Sequence, residues 1–211
     1  AVGQIKRLQA ERRKMVDLRA GLKSKRTEAD THDADMSRLT EMWSHQIQLL
    51  TQHIEELEQT MDALIRQDPV LWQRHQTMKT APGMGPVTGR FWLTLFAGQN
   101  QLNARKISSR FGFAPHGRRS GSSVKSPDRS SGHGNSEMRR LMHQAARSVA
   151  YHHPHYHEYY EQKLAEGKHE LVAINNIINK LLRLYCAMWN NQAAYDPEHT
   201  QKMIKKYKKS A

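Results

Sequence analysis

The sequence has few cysteines, few acidic residues and no long apolar run, and these shortages exclude whole classes of protein. Cys186 is the one cysteine in 211 residues, which rules out an internal disulfide and fits a reducing compartment. Leucines and a tyrosine surround it in sequence, so we expect a buried thiol rather than a reactive one. No apolar run reaches the roughly 18 residues of a membrane span, and no signal-peptide pattern opens the chain. We therefore expect a cytoplasmic protein without a membrane partner.

Strand-like alternation and internal repeats are missing too. No segment with a two-residue period is longer than a few residues, whereas apolar residues recur at spacings of three and four. These spacings predict an all-α chain. We divide it into a coiled-coil arm at 1–68, a compact helical domain at 69–195 and a basic tail at 196–211.

The basic residues outnumber the acidic ones, and unevenly along the chain. Lys and Arg number 33 against 20 Asp and Glu, a net charge of +13. Net charge is +7 in residues 1–27, −8 in residues 28–68 and +14 in residues 69–211. A basic C-terminal two thirds favours a polyanionic partner, most simply nucleic acid. A soluble domain that is merely basic is the alternative.

Two rows of apolar residues spaced by seven predict the coiled coil of the arm. The rows are Met36, Trp43, Leu50, Leu57 and Leu64, and, offset by four, Ile47, Ile54 and Met61. Weaker heptad-like positions precede them at Leu8, Met15, Leu18 and Leu22. The polar stretch 27–35 is a candidate hinge between two helices. The two helices could fold back on each other as one hairpin, or they could pair with another chain in a homodimer or tetramer. Because a single arm offers little surface to cover the apolar seam, we expect self-association.

A glycine turn follows the arm. Pro82, Gly83, Gly85 and Pro86 lie between a helical segment and an apolar one, as in helix-hairpin-helix motifs. In those motifs glycines let backbone N–H groups approach a phosphate. Gly83 and Gly85 are therefore candidate nucleic-acid contacts, with a plain turn as the alternative.

The segment from Arg105 to Arg147 is the richest in candidate chemistry. It holds ten Lys or Arg and two acidic residues, and Gly, Ser and Pro mark residues 115–135 as a loop, here called the serine loop. Ser120 follows two arginines, so it could contact a phosphate or act as a nucleophile; a solvated basic loop is the alternative. With the two glycines, the candidate nucleic-acid contacts are Arg105, Lys106, Arg118, Arg119, Gly121, Ser122, Ser123, Lys125, Arg139 and Arg140.

The histidines at 143, 152, 153, 155 and 157 invite a metal interpretation. Only 153 and 157 have helical ligand spacing, Pro154 interrupts them, and no cysteine or HExxH motif accompanies them. We therefore expect surface histidines and assign no metal ligand.

Taken in order, these motifs resemble the C-terminal transposase domain of the DEDD, RuvC-like recombinases of insertion sequences, relatives of the Piv invertase. The motifs are PGMGPVT at 82–88, FGFAP at 111–115, SG at 120–121, GHGN at 132–135, RRL at 139–141, AA at 145–146 and KLL at 180–182. The coiled-coil arm matches the family architecture, and several members work with a structured bridge RNA.

The resemblance implies that Ser120 is the catalytic serine and that the chain binds DNA, with a guide RNA as a possible second partner. It also implies Mg²⁺ held by a RuvC-like domain, and a bacterial, nucleoid-associated location. No acidic, strand-rich domain precedes the arm here, so we expect a fragment or a truncated product that does not catalyse alone. The alternatives are a non-catalytic helix-hairpin-helix protein that dimerises through its arm, and a structural coiled-coil adaptor.

Overall fold

The structure, a computed structural model, describes residues 1–32, 36–116, 119–120, 124–125, 129–130 and 134–198. The helices of this part are α1 Val2–His32, α2 Ser37–Gln67, α3 Pro69–Lys79, α4 Pro86–Phe96, α5 Ala104–Arg110, α6 Ser136–His152, α7 Pro154–Ala165 and α8 Glu170–Asn191. Four two-residue strands lie between α5 and α6: β1 Pro115–His116, β2 Arg119–Ser120, β3 Val124–Lys125 and β4 Arg129–Ser130. The predicted all-α class is confirmed.

The chain forms two compact units, Ala1–Trp72 and Gln73–Ala211; the second is called the helical unit below. The division falls within α3, four residues beyond the predicted arm boundary at 68. Of the basic tail predicted at 196–211, residues 199–211 lie outside the described residues. Among the helices that the structure describes, none has the length and apolar character to cross a membrane.

In the first unit, α1 and α2 pack as an antiparallel hairpin. Side chains of α1 donate to α2 in a constant register: Arg12 to Glu58, Arg19 to Thr51 at 3.1 Å and Arg26 to Ser44 at 3.4 Å. Each step of seven forward in α1 is a step of seven back in α2. The arm therefore closes on itself, so the seam already has a partner surface within one chain.

The buried residues of α2 confirm one predicted row and extend it. Ile47, Ile54 and Met61 are buried, together with Ile65. The other row is half-buried, and its first member, Met36, is exposed. The expectation of self-association rested on an unpartnered seam, and that argument is wrong because α1 covers α2.

The predicted hinge at 27–35 is too long. Helix α1 continues through Thr27 to His32, and the Thr27 hydroxyl donates to the Lys23 carbonyl at 3.0 Å. Residues 27–32 are polar but contain neither glycine nor proline, so nothing breaks the helix there.

Helix α8 is the core of the helical unit, as its apolar spacing predicts. It packs against α5, α6 and α7, and its large side chains that are fully buried are Ile174, Ile177, Ile178, Leu181, Leu182 and Tyr185. Cys186 is buried, as expected, and burial raises the pKa of its thiol to about 12. The apolar spacing of this helix also includes Leu171 and predicts that it is buried, but Leu171 is 58% exposed in the first turn.

Candidate nucleic-acid interface at the serine loop

The serine loop folds back on itself through two short antiparallel pairs. Strand β1 pairs with β4, joining Pro115 to Ser130, and β2 pairs with β3, joining Ser120 to Val124. Paired strands therefore interrupt the predicted loop, and at two residues each they are too short to leave a period in the sequence. The backbone of Ser120 ends β2, immediately before the segment 121–123 that leads into β3.

The structure describes only some of the predicted contacts in the serine loop. Arg118, Gly121, Ser122 and Ser123 lie outside the described residues. The backbones of Arg119, Ser120 and Lys125 are described in β2 and β3, where Arg119 pairs with Lys125.

The loop leaves the core from a fixed point at the end of α5. The backbone N–H groups of Phe113 and Ala114 both donate to the Ser108 carbonyl, at 2.9 and 3.2 Å. The Asn175 side-chain amide of α8 donates to the Phe113 carbonyl at 3.0 Å, and the Ser108 hydroxyl donates to Asn179 Oδ1 at 2.6 Å. Helices α5 and α8 thus hold the first residues before the loop.

The loop returns to the same place. Gly134 has a φ of +98°, and a Cβ there would lie 2.6 Å from the Arg110 carbonyl oxygen and 3.0 Å from Phe111 Cα. Only glycine fits so close an approach. Asn135 then begins α6, with its side chain accepting from the Met138 N–H at 3.0 Å. Both ends of the serine loop therefore meet at the C-terminal end of α5.

Basic side chains on the flanking helices differ in how much of their charge is available. Arg105 and Lys106 are exposed on α5, and Arg110, which sequence reasoning did not single out, is exposed one turn further on. Arg139 is half-buried on α6. Arg140 forms a bidentate pair with Glu137, at 2.5 and 2.9 Å, so a carboxylate already compensates its charge.

The two glycines of the turn between α3 and α4 have different surroundings. Gly83 has a φ of +76°, and a Cβ on it would lie 3.1 Å from both Ala145 Cβ and the Tyr185 hydroxyl. That hydroxyl donates to the Pro82 carbonyl at 2.7 Å, and burial raises the pKa of Tyr185, so it remains a neutral donor. Gly83 therefore packs against the core, whereas Gly85 is exposed at the N-cap of α4 with no atom within 4 Å of its Cβ position.

Two histidines of the histidine-rich segments have a lowered pKa. Partial burial lowers the pKa of His143, and Arg147 and Arg139 lower it further. Burial and then His155 lower the pKa of His153. Among the described residues, no three His, Cys, Asp or Glu side chains cluster as metal ligands would.

One family description coincides with this region. The model of the transposase IS116/IS110/IS902 family matches residues 75–161, from α3 into α7. The matched range contains the glycine turn, the serine loop and both of its attachment points. No curated protein is significantly similar to the chain. The match supports a transposase domain in the helical unit and, with it, a role in DNA transposition or recombination.

Proposed function

We propose that this chain is the serine-bearing part of a DNA transposase or site-specific recombinase, with the serine loop as its DNA-binding site. The observation that carries the proposal is that the family match spans the whole serine loop, whose two ends are fixed on α5 and α8. A nucleophile on a loop needs such a rigid support, because small misplacements of a reacting atom are costly. DNA binding by such a protein would place it at the bacterial nucleoid.

In the proposed reaction, Ser120 exchanges one phosphate ester for another. Its Oγ forms a bond to a DNA phosphorus while the bond from that phosphorus to a deoxyribose oxygen breaks. The hydroxyl proton passes to a base, and the departing oxygen takes up a proton. The number of ester bonds is conserved, so the step needs no external energy source. Serine is a weak nucleophile without such a base, and arginines at 118 and 119 would stabilise charge on the phosphoryl group.

The proposal gives the metal to a different part of the enzyme. The resemblance implies that Mg²⁺ binds to carboxylates of a RuvC-like domain, and no described residue of this chain is assigned to it. No step above passes through the metal. We expect the 211-residue chain by itself to bind DNA without cutting it.

Salt-dependent DNA binding tests the interface. Because phosphate contacts release counterions, we expect affinity for duplex DNA to fall steeply with salt. If each arginine contacts one phosphate, Arg118→Ala with Arg119→Ala lowers the slope of log affinity against log salt by about two. Lys23→Ala with Lys25→Ala, which removes the same charge from the arm, should change the slope little. Equal changes in both double variants would show that net charge, not the serine loop, governs binding.

Self-association of the chain would need a surface other than the seam of α2, which α1 covers. Large apolar side chains remain exposed on the arm at Leu18, Met42 and Leu49, and we propose that a dimer or tetramer forms there. Light scattering at tens of micromolar would show a monomer if this is wrong.

A structured guide RNA is a further proposed partner, and competition between that RNA and DNA for the chain tests it.

A non-catalytic helix-hairpin-helix protein is the second candidate, and the exposed Gly85 at the start of α4 favours it. Both candidates bind DNA. Only the first forms a covalent protein–DNA link when the RuvC-like domain is supplied.

A further inference from the structure

A cavity of about 500 Å³ opens beside the point where the serine loop is attached. Its floor includes the buried side chains of Phe96, Ile107 and Phe111, and its rim includes the exposed side chains of Gln99, Lys106 and Arg110. The volume lies within the roughly 300–1,000 Å³ of small-ligand pockets. The cavity thus combines an apolar floor with amide and cationic groups around its opening.

The wall between α4 and α5 is held in place by α8. Trp189 Nε1 donates to the Gln99 carbonyl at 2.9 Å. Asn190 bonds both backbone groups of Leu102, accepting from its N–H at 2.7 Å and donating to its carbonyl at 2.9 Å. Arg74 lies over the Trp189 ring at 4.5 Å and also donates to the Gln99 carbonyl. A ligand would therefore meet a preformed cavity and lose little free energy in ordering it.

The charge at the rim favours an anion. Lys106 and Arg110 are four residues apart on α5, so their side chains emerge on the same side of the helix. No acidic residue lines the cavity, and among the described residues neither cation has a carboxylate partner. Two uncompensated cations above an apolar floor suit a ligand that carries a phosphate and a flat, largely apolar ring.

The cavity also lies close to the serine loop. Arg110 and Phe111 line the cavity, and they are also the residues whose backbone leaves no room for a side chain on Gly134, where an added Cβ would lie 2.6 Å from the Arg110 carbonyl oxygen and 3.0 Å from Phe111 Cα. A ligand in the cavity would therefore lie next to the point where the serine loop, which carries Ser120, is attached to α5.

We propose that this cavity binds one unpaired nucleotide of the DNA strand that the serine loop engages. The base rests on the floor formed by Phe96, Ile107 and Phe111, with the Gln99 amide at its polar edge. Its phosphate lies on Lys106 and Arg110. Extruded bases are commonly held by such combinations of apolar contact and edge hydrogen bonds. The inference rests on the proposed function, since it assigns the cavity to the same DNA.

Nuclear magnetic resonance of the whole chain with thymidine 5′-monophosphate tests the cavity without any catalysis. With ¹⁵N-labelled glutamine, we expect the nucleotide to shift the side-chain amide signal of Gln99 with a Kd on the order of 1 mM, typical of a small fragment. Inorganic phosphate should leave that signal in place. No shift with the nucleotide, or the same shift with phosphate, would overturn the proposal.

Two lysines of the helical unit supply a matched pair of variants. Lys106→Ala should weaken nucleotide binding about fivefold through loss of a charge-assisted hydrogen bond. Lys168→Ala removes the same charge from an exposed residue that does not line the cavity, and it should stay within about twofold, since screening weakens distant charges. Equal losses in the two variants would contradict a specific site.

The same samples separate this inference from the proposed function. Nucleotide binding that follows the pattern above supports the cavity even if Ser120 proves dispensable for strand cleavage. Conversely, a covalent link through Ser120 with no nucleotide binding here would reject the cavity and leave the proposed function standing.

Discussion

The arm and the helical unit use their basic residues in opposite ways. On α1, Arg12, Arg19 and Arg26 take the seven-spaced row that faces α2 and donate to it. On α5, Lys106 and Arg110 point outward above an apolar floor. These three arginines of the arm therefore serve contact between its own helices, whereas Lys106 and Arg110 of the helical unit remain available to a ligand.

The net charge of a segment therefore does not show by itself whether that segment can bind DNA. Residues 1–27 are more densely basic than residues 105–147, which contain the serine loop, but three of their arginines are hydrogen-bonded to α2. A count of charges along the sequence overstates the arm as a DNA-binding surface. The interface is better located by asking which cations have no partner within the fold.

The largest expected difference between the two units comes from removing a tryptophan. Trp92 is 1% exposed and packs against Phe96 and Tyr185, so Trp92→Ala should cost about 3–5 kcal/mol of unfolding free energy. Trp43→Ala, at a half-buried position of the arm, should cost roughly 1–2 kcal/mol, because less contact is lost. Denaturant unfolding measures both, and equal losses would contradict the comparison of the two cores.

Gly134→Ala should have the next largest effect and should act on the loop. Its Cβ would lie 2.6 Å from the Arg110 carbonyl at a φ of +98°, which costs on the order of 1–3 kcal/mol. We expect weaker DNA binding because the end of the serine loop is displaced. Gly98→Ala is the control, since no atom lies within 4 Å of its Cβ position. Matching DNA affinities for the two variants would show that this attachment does not matter.

The arm and the serine loop show which features can be predicted from the sequence and which cannot. Rows of apolar residues spaced by seven reveal α2. On α1 a single row, Leu8, Met15 and Leu22, has this spacing, and the other row that faces α2 consists of arginines, so the apolar pattern of α1 is weaker. The FGFAP and GHGN motifs flank the serine loop in the sequence. Gly134 is necessary, however, because the backbone of Arg110 and Phe111 lies beside it in the fold, where an added Cβ would be 2.6 Å from the Arg110 carbonyl oxygen. From the sequence, Gly83 is a candidate phosphate contact because the sequence of a turn does not show which residues pack against its glycine. In the fold these residues are Ala145 and Tyr185. The cavity at Lys106 brings together residues whose sequence shows no motif.

Arg19→Leu should have a small effect of the opposite sign. Arg19 is half-buried between the helices of the arm and donates to Thr51. Replacing a half-buried cation by leucine in a coiled-coil seam should stabilise the arm by about 0–1 kcal/mol. Arg7→Leu, at an exposed position of α1, should change nothing measurable. Thermal unfolding compares them, and a clear loss for Arg19→Leu would mean that the arginine row stabilises the arm.

The smallest effect concerns pH. Burial, Arg147 and Arg139 lower the pKa of His143 in the folded chain, so the unfolded chain binds the proton more readily. The stability contributed by neutral His143 is therefore complete above its unfolded pKa of about 6.5 and is lost as the pH falls through the lower folded pKa. Comparing denaturant midpoints at pH 7 and pH 5, we expect a smaller drop for His143→Gln than for the unchanged chain. An equal drop would place the acid sensitivity elsewhere, with His153 the next candidate.

The most direct test of the central claim is to locate the covalent link between protein and DNA. The chain is supplied with the RuvC-like domain, Mg²⁺ and a DNA substrate, and the trapped adduct is digested and mapped by mass spectrometry. We predict a nucleotide on the peptide that contains Ser120. Ser120→Ala should give no adduct although its salt-dependent DNA binding is unchanged, and adducts should persist for Ser122→Ala and Ser123→Ala. An adduct that still forms with Ser120→Ala would contradict the account and move the nucleophile to another residue.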